Sequence, residues 1–105
     1  MAEIVPVRGR VYWANLGSGR KPWLVVSNNR RNRNLRDCLV VRVTTSVKPD
    51  LTSIVELGPD DPLTGRVLCD DVGPMYRDDI LGEAGAVSRV TMERVAAGVR
   101  FAMDL

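Results

Sequence analysis

The stretch Arg20-Lys21-Pro22-Trp23-Leu24-Val25-Val26-Ser27-Asn28-Asn29 sets two cations directly before a proline and a short apolar run. Pro22 fixes its own φ and biases Lys21 toward extended backbone, so the ammonium leaves a stiff strand entry rather than a loose loop. Trp23 to Ser27 is almost continuously apolar, the pattern of a strand covered on both faces. A charged rim held by a buried strand is a setting in which binding and catalytic groups are often found.

Working outward, Gly9 to Leu16 reads as a first strand, with Val11, Trp13 and Asn15 on one face and Tyr12, Ala14 and Leu16 on the other. Gly17-Ser18-Gly19 is a flexible connection, which makes the first two strands a hairpin. Asn29 to Arg36 is polar and without period, and is expected to be a surface loop carrying four guanidinium groups. Asp37 to Thr44 is the third strand, where Leu39, Val41 and Val43 face one way and Val40, Arg42 and Thr44 the other. Ser53 to Leu57 and Arg66 to Val72 are further strands, separated by the turn-rich Gly58 to Gly65. A single turn over Tyr76 to Ile80 leads to a short strand, Gly82 to Val87. From Ser88, a candidate N-cap, the period becomes helical, with Met92, Val95, Ala96, Val99, Ala102 and Met103 in one stripe. The pattern predicts one domain over residues 1–105, a partly closed, mostly antiparallel β-barrel with a C-terminal helix.

The 105 residues carry a formal net charge of only +2, but the sign is unevenly spread. Residues 1 to 48 hold ten Lys and Arg against Glu3 and Asp37, and residues 49 to 105 hold five Arg against eleven Asp and Glu. Cations clustered at strand ends are the footprint of a nucleic-acid binder. Histidine is absent, which excludes histidine acid–base pairs, Ser-His-Asp triads and His-containing zinc sites. Cys38 and Cys69 sit in apolar runs and are expected to be reduced core thiols. No apolar run has the length of a membrane-spanning helix and the N-terminus lacks a signal pattern, so a cytoplasmic protein with no membrane association is expected.

Metal-free RNA cleavage needs a base for the 2′-OH, a donor for the leaving 5′-oxygen and cations for the charge developing at phosphorus. Lys21, Thr44 and Asp70 are the candidates, with Lys21 as clamp and proton donor, Thr44 as hydrogen-bond donor and Asp70 as base. Strand alternation lets only one of Asp70 and Asp71 reach a given site. A two-carboxylate metal site from that pair is therefore not expected, and no metal or cofactor is anticipated. Arg30, Arg31 and Arg33 are candidate phosphate contacts, and Trp23 is a candidate for stacking on a base or for core or dimer packing.

Four motifs in register, Arg8-Gly9-Arg10-Val11-Tyr12, Lys21 to Asn28, the Leu39 to Ser46 segment ending Thr44-Thr45-Ser46, and the terminal helix, resemble MazF/PemK-type toxins over nearly the whole chain. The resemblance implies an SH3-like barrel, a homodimer, metal-independent cutting of single-stranded RNA to 2′,3′-cyclic phosphate and 5′-OH ends, and a cognate antitoxin. It places the family's catalytic arginine at Lys21, with Arg20 as the alternative source of a guanidinium, and its catalytic threonine at Thr44. An Arg-Cys-Asp run of the PemK-like branch reads Leu68-Cys69-Asp70 here. Ser18, Arg20, Arg42, Thr45 and Ser46 complete the expected RNA-contacting set. Two alternatives stay open: a gyrase-directed toxin of the CcdB type, which shares the fold but relies on a C-terminal Trp-Gly-Ile where this chain ends Met103-Asp104-Leu105, and an RNA-binding barrel without catalysis.

Overall fold

A computed structural model describes residues 3–105. Six strands, β1 (Arg10–Asn15), β2 (Arg20–Val25), β3 (Asp37–Thr44), β4 (Ile54–Glu56), β5 (Arg66–Tyr76) and β6 (Ile80–Ala86), form one antiparallel sheet in the order β4-β5-β3-β2-β1-β6. The loop after β4 draws the two edges of the sheet together. Its Asp61 accepts hydrogen bonds from the Ser88 amide at 2.7 Å and the Thr91 hydroxyl at 2.7 Å, beyond the far end of β6. Leu63 from the same loop packs against the main core.

That core contains Val11, Leu24, Val41, Val43, Val55, Val67 and Cys69 from five strands, covered by Val95 of the C-terminal helix α2 (Arg89–Met103). The opposite face carries a second cluster of Tyr12, Ala14, Val25, Cys38, Val40 and Met75. β1, β2 and β3 thus bury alternate residues on both faces, as their sequence pattern predicts. Ser88 caps α2 as expected, its hydroxyl accepting from Thr91 N–H at 3.2 Å. The predicted stripe holds through Val99, with Val95 buried and Met92 and Val99 packed against the main core, but its last turn fails, since Ala102 and Met103 are exposed. Thr91 and Gly98, outside the stripe, are buried beside Val95. Gly98 is what permits this: a Cβ there would lie 2.7 Å from Cys69 Sγ and 3.0 Å from the Thr52 carbonyl oxygen, so a side chain would hold helix and sheet apart.

Two other expectations are corrected. The arginine-rich stretch is a short helix, α1 (Asn29–Asn34), rather than a loop. Asn28 caps it by accepting from Arg31 N–H at 2.8 Å, and Arg77 donates to the carbonyls of Asn32 and Arg33 at its other end. Asn32 is fully buried and donates to the Ser27 carbonyl at 2.9 Å, which ties α1 to the end of β2. β5 runs past Val72 to Tyr76 because it carries a bulge. Val41 stands opposite Val72 and Arg42 opposite Leu68, which leaves Cys69, Asp70 and Asp71 without partners on β3. Both cysteines are free and buried, and burial pushes each thiol up to about 11. Among the described residues no helix is long and apolar enough to cross a membrane.

Gly98→Ala is expected to destabilise the protein by about 1–2 kcal/mol, overpacking against Cys69 outweighing the gain in helix propensity. In a thermal melt this is a fall of roughly 4–8 °C per kcal/mol. Asp61 offers a second test. Desolvation raises its pKa, but the amides of Ser88 and Gly58 and the Thr91 hydroxyl outweigh it and leave the carboxyl below its ordinary 3.8. A depressed carboxylate stabilises the fold above its unfolded value and loses that contribution as pH falls through the folded one. Asp61→Ala should therefore cost about 1–3 kcal/mol at neutral pH, with the gap to wild type narrowing below pH 4 in urea titrations.

Candidate functional site

β2 is hydrogen-bonded to β1 along its whole length, with Asn15 opposite Arg20 and Val11 opposite Leu24, but its ladder with β3 ends at Trp23 opposite Arg42. The reason is chemical. The Val26 amide donates to Leu39 on the β3 side, whereas the Val25 carbonyl accepts from Gly9 on the β1 side, so by alternation Leu24 and Pro22 face β3. Pro22 has no N–H to continue that ladder. The last two residues of β3, Val43 and Thr44, are left unpaired on this side. A cleft of about 400 Å³ opens there, lined by Trp13, Lys21, Pro22, Arg42, Thr44, Thr45, Ser46, Leu63 and Thr64.

Lys21 and Thr44 thus meet across the gap that the proline creates. Lys21 and Arg42 form no ion pair among the described residues, so both cations are available to a ligand. The Thr44 hydroxyl accepts from the Ser46 amide at 3.2 Å, which occupies a lone pair and leaves its hydrogen to donate outward. Thr44 is also held from behind. Gly65, at φ +123°, lies so close that a Cβ would collide with the Thr44 carbonyl oxygen.

The other candidates are placed elsewhere. Arg20 is exposed and does not line the cleft; its guanidinium lies 4.5 Å from the centre of the Trp13 ring. Ser18 is exposed in the β1–β2 turn. Asp70 is exposed on the β5 bulge and is not among the cleft residues. Arg30, Arg31 and Arg33 belong to α1, at the opposite end of β2 and β3, separated from Lys21 by about 20 Å of strand rise. Arg31 is further committed, donating to the carbonyl and carboxylate of Asp37 at 3.1 Å each. Trp23 packs against the second core cluster and its indole N–H donates to the Ala14 carbonyl at 3.3 Å, so core packing is its role. Trp13, which strand alternation set only on a face, is the aromatic residue in the cleft.

The family model described as PemK-like, MazF-like toxin of type II toxin-antitoxin system matches residues 7–103. Endoribonuclease MazF1 of Mycobacterium bovis and endoribonuclease MazF4 of Mycobacterium tuberculosis are each 41% identical over 100 residues, covering 95% of this chain and 94% of theirs. Among solved structures, a mycobacterial endoribonuclease in complex with its cognate antitoxin superposes with a TM-score of 0.91 at 41% identity, covering 95% of this chain and 96% of that one. A MazE-MazF structure from Deinococcus radiodurans, at 22% identity and a TM-score of 0.85 over 98% of this chain and 99% of that one, shares the fold. With the family match over almost its whole length and the identity to these relatives, the chain belongs to the PemK-like, MazF-like toxin family of type II toxin-antitoxin systems.

Proposed function

We propose that this protein is an endoribonuclease toxin that cuts single-stranded RNA in the Lys21–Thr44 cleft, acts in the cytoplasm as a homodimer and is neutralised by a cognate antitoxin protein. The observation that carries the reading is the meeting of an unpaired lysine, an unpaired arginine and an outward-donating threonine where Pro22 stops the β2–β3 ladder. The names of the relatives, and the antitoxin bound to one of them, support it. No relative named above favours the gyrase-directed alternative.

In the proposed reaction the 2′-oxygen of the nucleotide before the cut attacks the adjacent phosphorus and loses its proton. The bond from phosphorus to the 5′-oxygen breaks, that oxygen is protonated, and a 2′,3′-cyclic phosphate and a 5′-OH remain. Lys21 supplies the proton to the leaving oxygen and, with Arg42, balances the charge developing on the phosphoryl oxygens. Thr44 donates its hydroxyl hydrogen to a non-bridging oxygen. Lysine lacks the fork with which an arginine grips two oxygens, and Arg42 in the same cleft supplies a guanidinium. Arg20, stacked on Trp13, is not required for this role. Among the described residues no carboxylate lines the cleft, so the 2′-OH proton leaves to solvent and Asp70 is assigned no part. No metal is assigned a part either; among the described residues no three of His, Cys, Asp and Glu are grouped to hold one.

The test is incubation of the purified protein with a mixed single-stranded RNA pool in chelator, with mapping of the 5′ ends. Wild type should yield sequence-selective 5′-OH ends. Lys21→Ala and Thr44→Ala should each lower kcat by about 10²–10³-fold, and Asp70→Asn should leave it within a few-fold. Intact but bound RNA with folded wild type would replace the reading by the binding barrel without catalysis. Exposed Arg30 and Arg33 are proposed to contact phosphates only of RNA long enough to reach α1. Neutralising both should flatten the salt dependence of long-RNA binding by about 0.7 per lost contact while leaving short oligonucleotides unaffected; equal slopes for long RNA would remove them from the interface.

A further inference from the structure

Trp13 is a large aromatic residue that belongs to neither core cluster and stands partly exposed in the wall of the cleft. Burial does not account for it, unlike Trp23. Its surroundings are those of a platform. On the β2 side the Arg20 guanidinium lies 4.5 Å from the ring centre. On the β6 side its strand partner is Gly82, where a Cβ would meet nothing within 4 Å. Trp13 therefore stands between a cation and the open position above Gly82.

The cleft has two chemistries. Lys21, Arg42, Thr44, Thr45 and Ser46 are cationic or hydroxylic and suit a phosphate; Trp13, Pro22 and Leu63 are apolar and suit a flat ring. A nucleotide carries both groups a short distance apart. We infer that Trp13, backed by Arg20 and given room by Gly82, stacks on one nucleobase next to the scissile phosphate and so positions that phosphate against Thr44 and Lys21. The inference rests on RNA being the substrate proposed above. Every base has a stacking face, so the platform holds a base in place without choosing which one.

The experiment uses an RNA spanning a mapped cut site, made uncleavable by a 2′-deoxy sugar at the attacking nucleotide. Affinity is compared between the intact RNA and versions that are abasic at each nucleotide flanking the cut. With wild type, one abasic position should weaken binding by roughly five- to one-hundred-fold. With Trp13→Leu that penalty should vanish, and Trp13→Tyr should keep most of it. Gly82→Val, whose added side chain enters open space, should abolish the penalty by filling that position while leaving the melting temperature near wild type. The same abasic penalty in wild type, Trp13→Leu and Gly82→Val would overturn the platform while leaving the endoribonuclease reading intact. Failure of wild type to cut or bind any RNA would overturn both.

Discussion

The site depends on the hydrogen bond that Pro22 cannot make. β3 is paired on one edge with β5 and on the other with β2, and Val40, Val41 and Val43 are buried on its two faces. A strand so constrained has no freedom to open a cavity along its length. It is released only at its end, where the next residue of β2 lacks a donor. The same proline keeps its place against β1, opposite Trp13, so the chain remains extended and Lys21 stays in the sheet. A break in one ladder with the other intact yields a cleft with rigid walls.

Much of this was legible in the sequence because the strands alternate and the proline announces itself. The β1–β2 hairpin, the two-faced burial, the Ser88 cap, and Lys21 before a proline followed by a buried strand could all be read from local pattern. What was not legible is long-range or short-lived in period. Helix α1 has six residues, too few for an amphipathic repeat, and is held by Asn32 buried beneath it and Arg77 from beyond β5. Asn28 was its one local signal, as a cap residue before a run of Asn and Arg, and the absence of apolar residues masked it. The place of Asp70 depended on a bulge. Strand alternation assumed unbroken pairing across Cys69 to Asp71, and that assumption fails when three residues drop out of register. Trp13 and Trp23 could not be ranked for the same reason: their faces follow from alternation, but which face opens into a cleft depends on where the ladder to β3 stops.

The charge asymmetry also takes on a more specific meaning. Of the cations in the basic half, several are spent on the fold. Arg31 pairs with Asp37, Arg36 with Glu3, and Arg8 donates to the Val26 carbonyl. Arg10 pairs with Glu83 across the β1–β6 edge. Such pairs are partly exposed and add little stability each, but they remove those guanidinium groups from competition for a phosphate. Among the described residues Arg20, Lys21, Arg30, Arg33, Arg42 and Lys48 have no acidic partner, and of these Lys21 and Arg42 line the cleft. Total basic charge would not separate these two groups of residues.

The cleft divides its tasks by stiffness. Thr44 is fixed from three directions: by the β3–β5 ladder opposite Arg66, by the Ser46 amide on its hydroxyl, and by Gly65 pressed against its carbonyl. Gly65 is needed there twice over, since its φ of +123° disfavours any side chain and the approach leaves no room for one. Trp13 is braced by its strand and by Arg20. Lys21 differs, for its backbone is held beside Pro22 while four methylenes leave the ammonium free to follow charge. A hydroxyl that must meet a non-bridging oxygen benefits from being placed in advance, because orienting it during the reaction would add to the barrier. In the proposed reaction Lys21 serves first the phosphoryl oxygens and then the departing 5′-oxygen, and so has to reach two positions. A rigid guanidinium fork at residue 21 would suit the first of these better than the second, and with Arg42 already in the cleft to supply a fork, a lysine there is consistent with the chemistry rather than a defect in it.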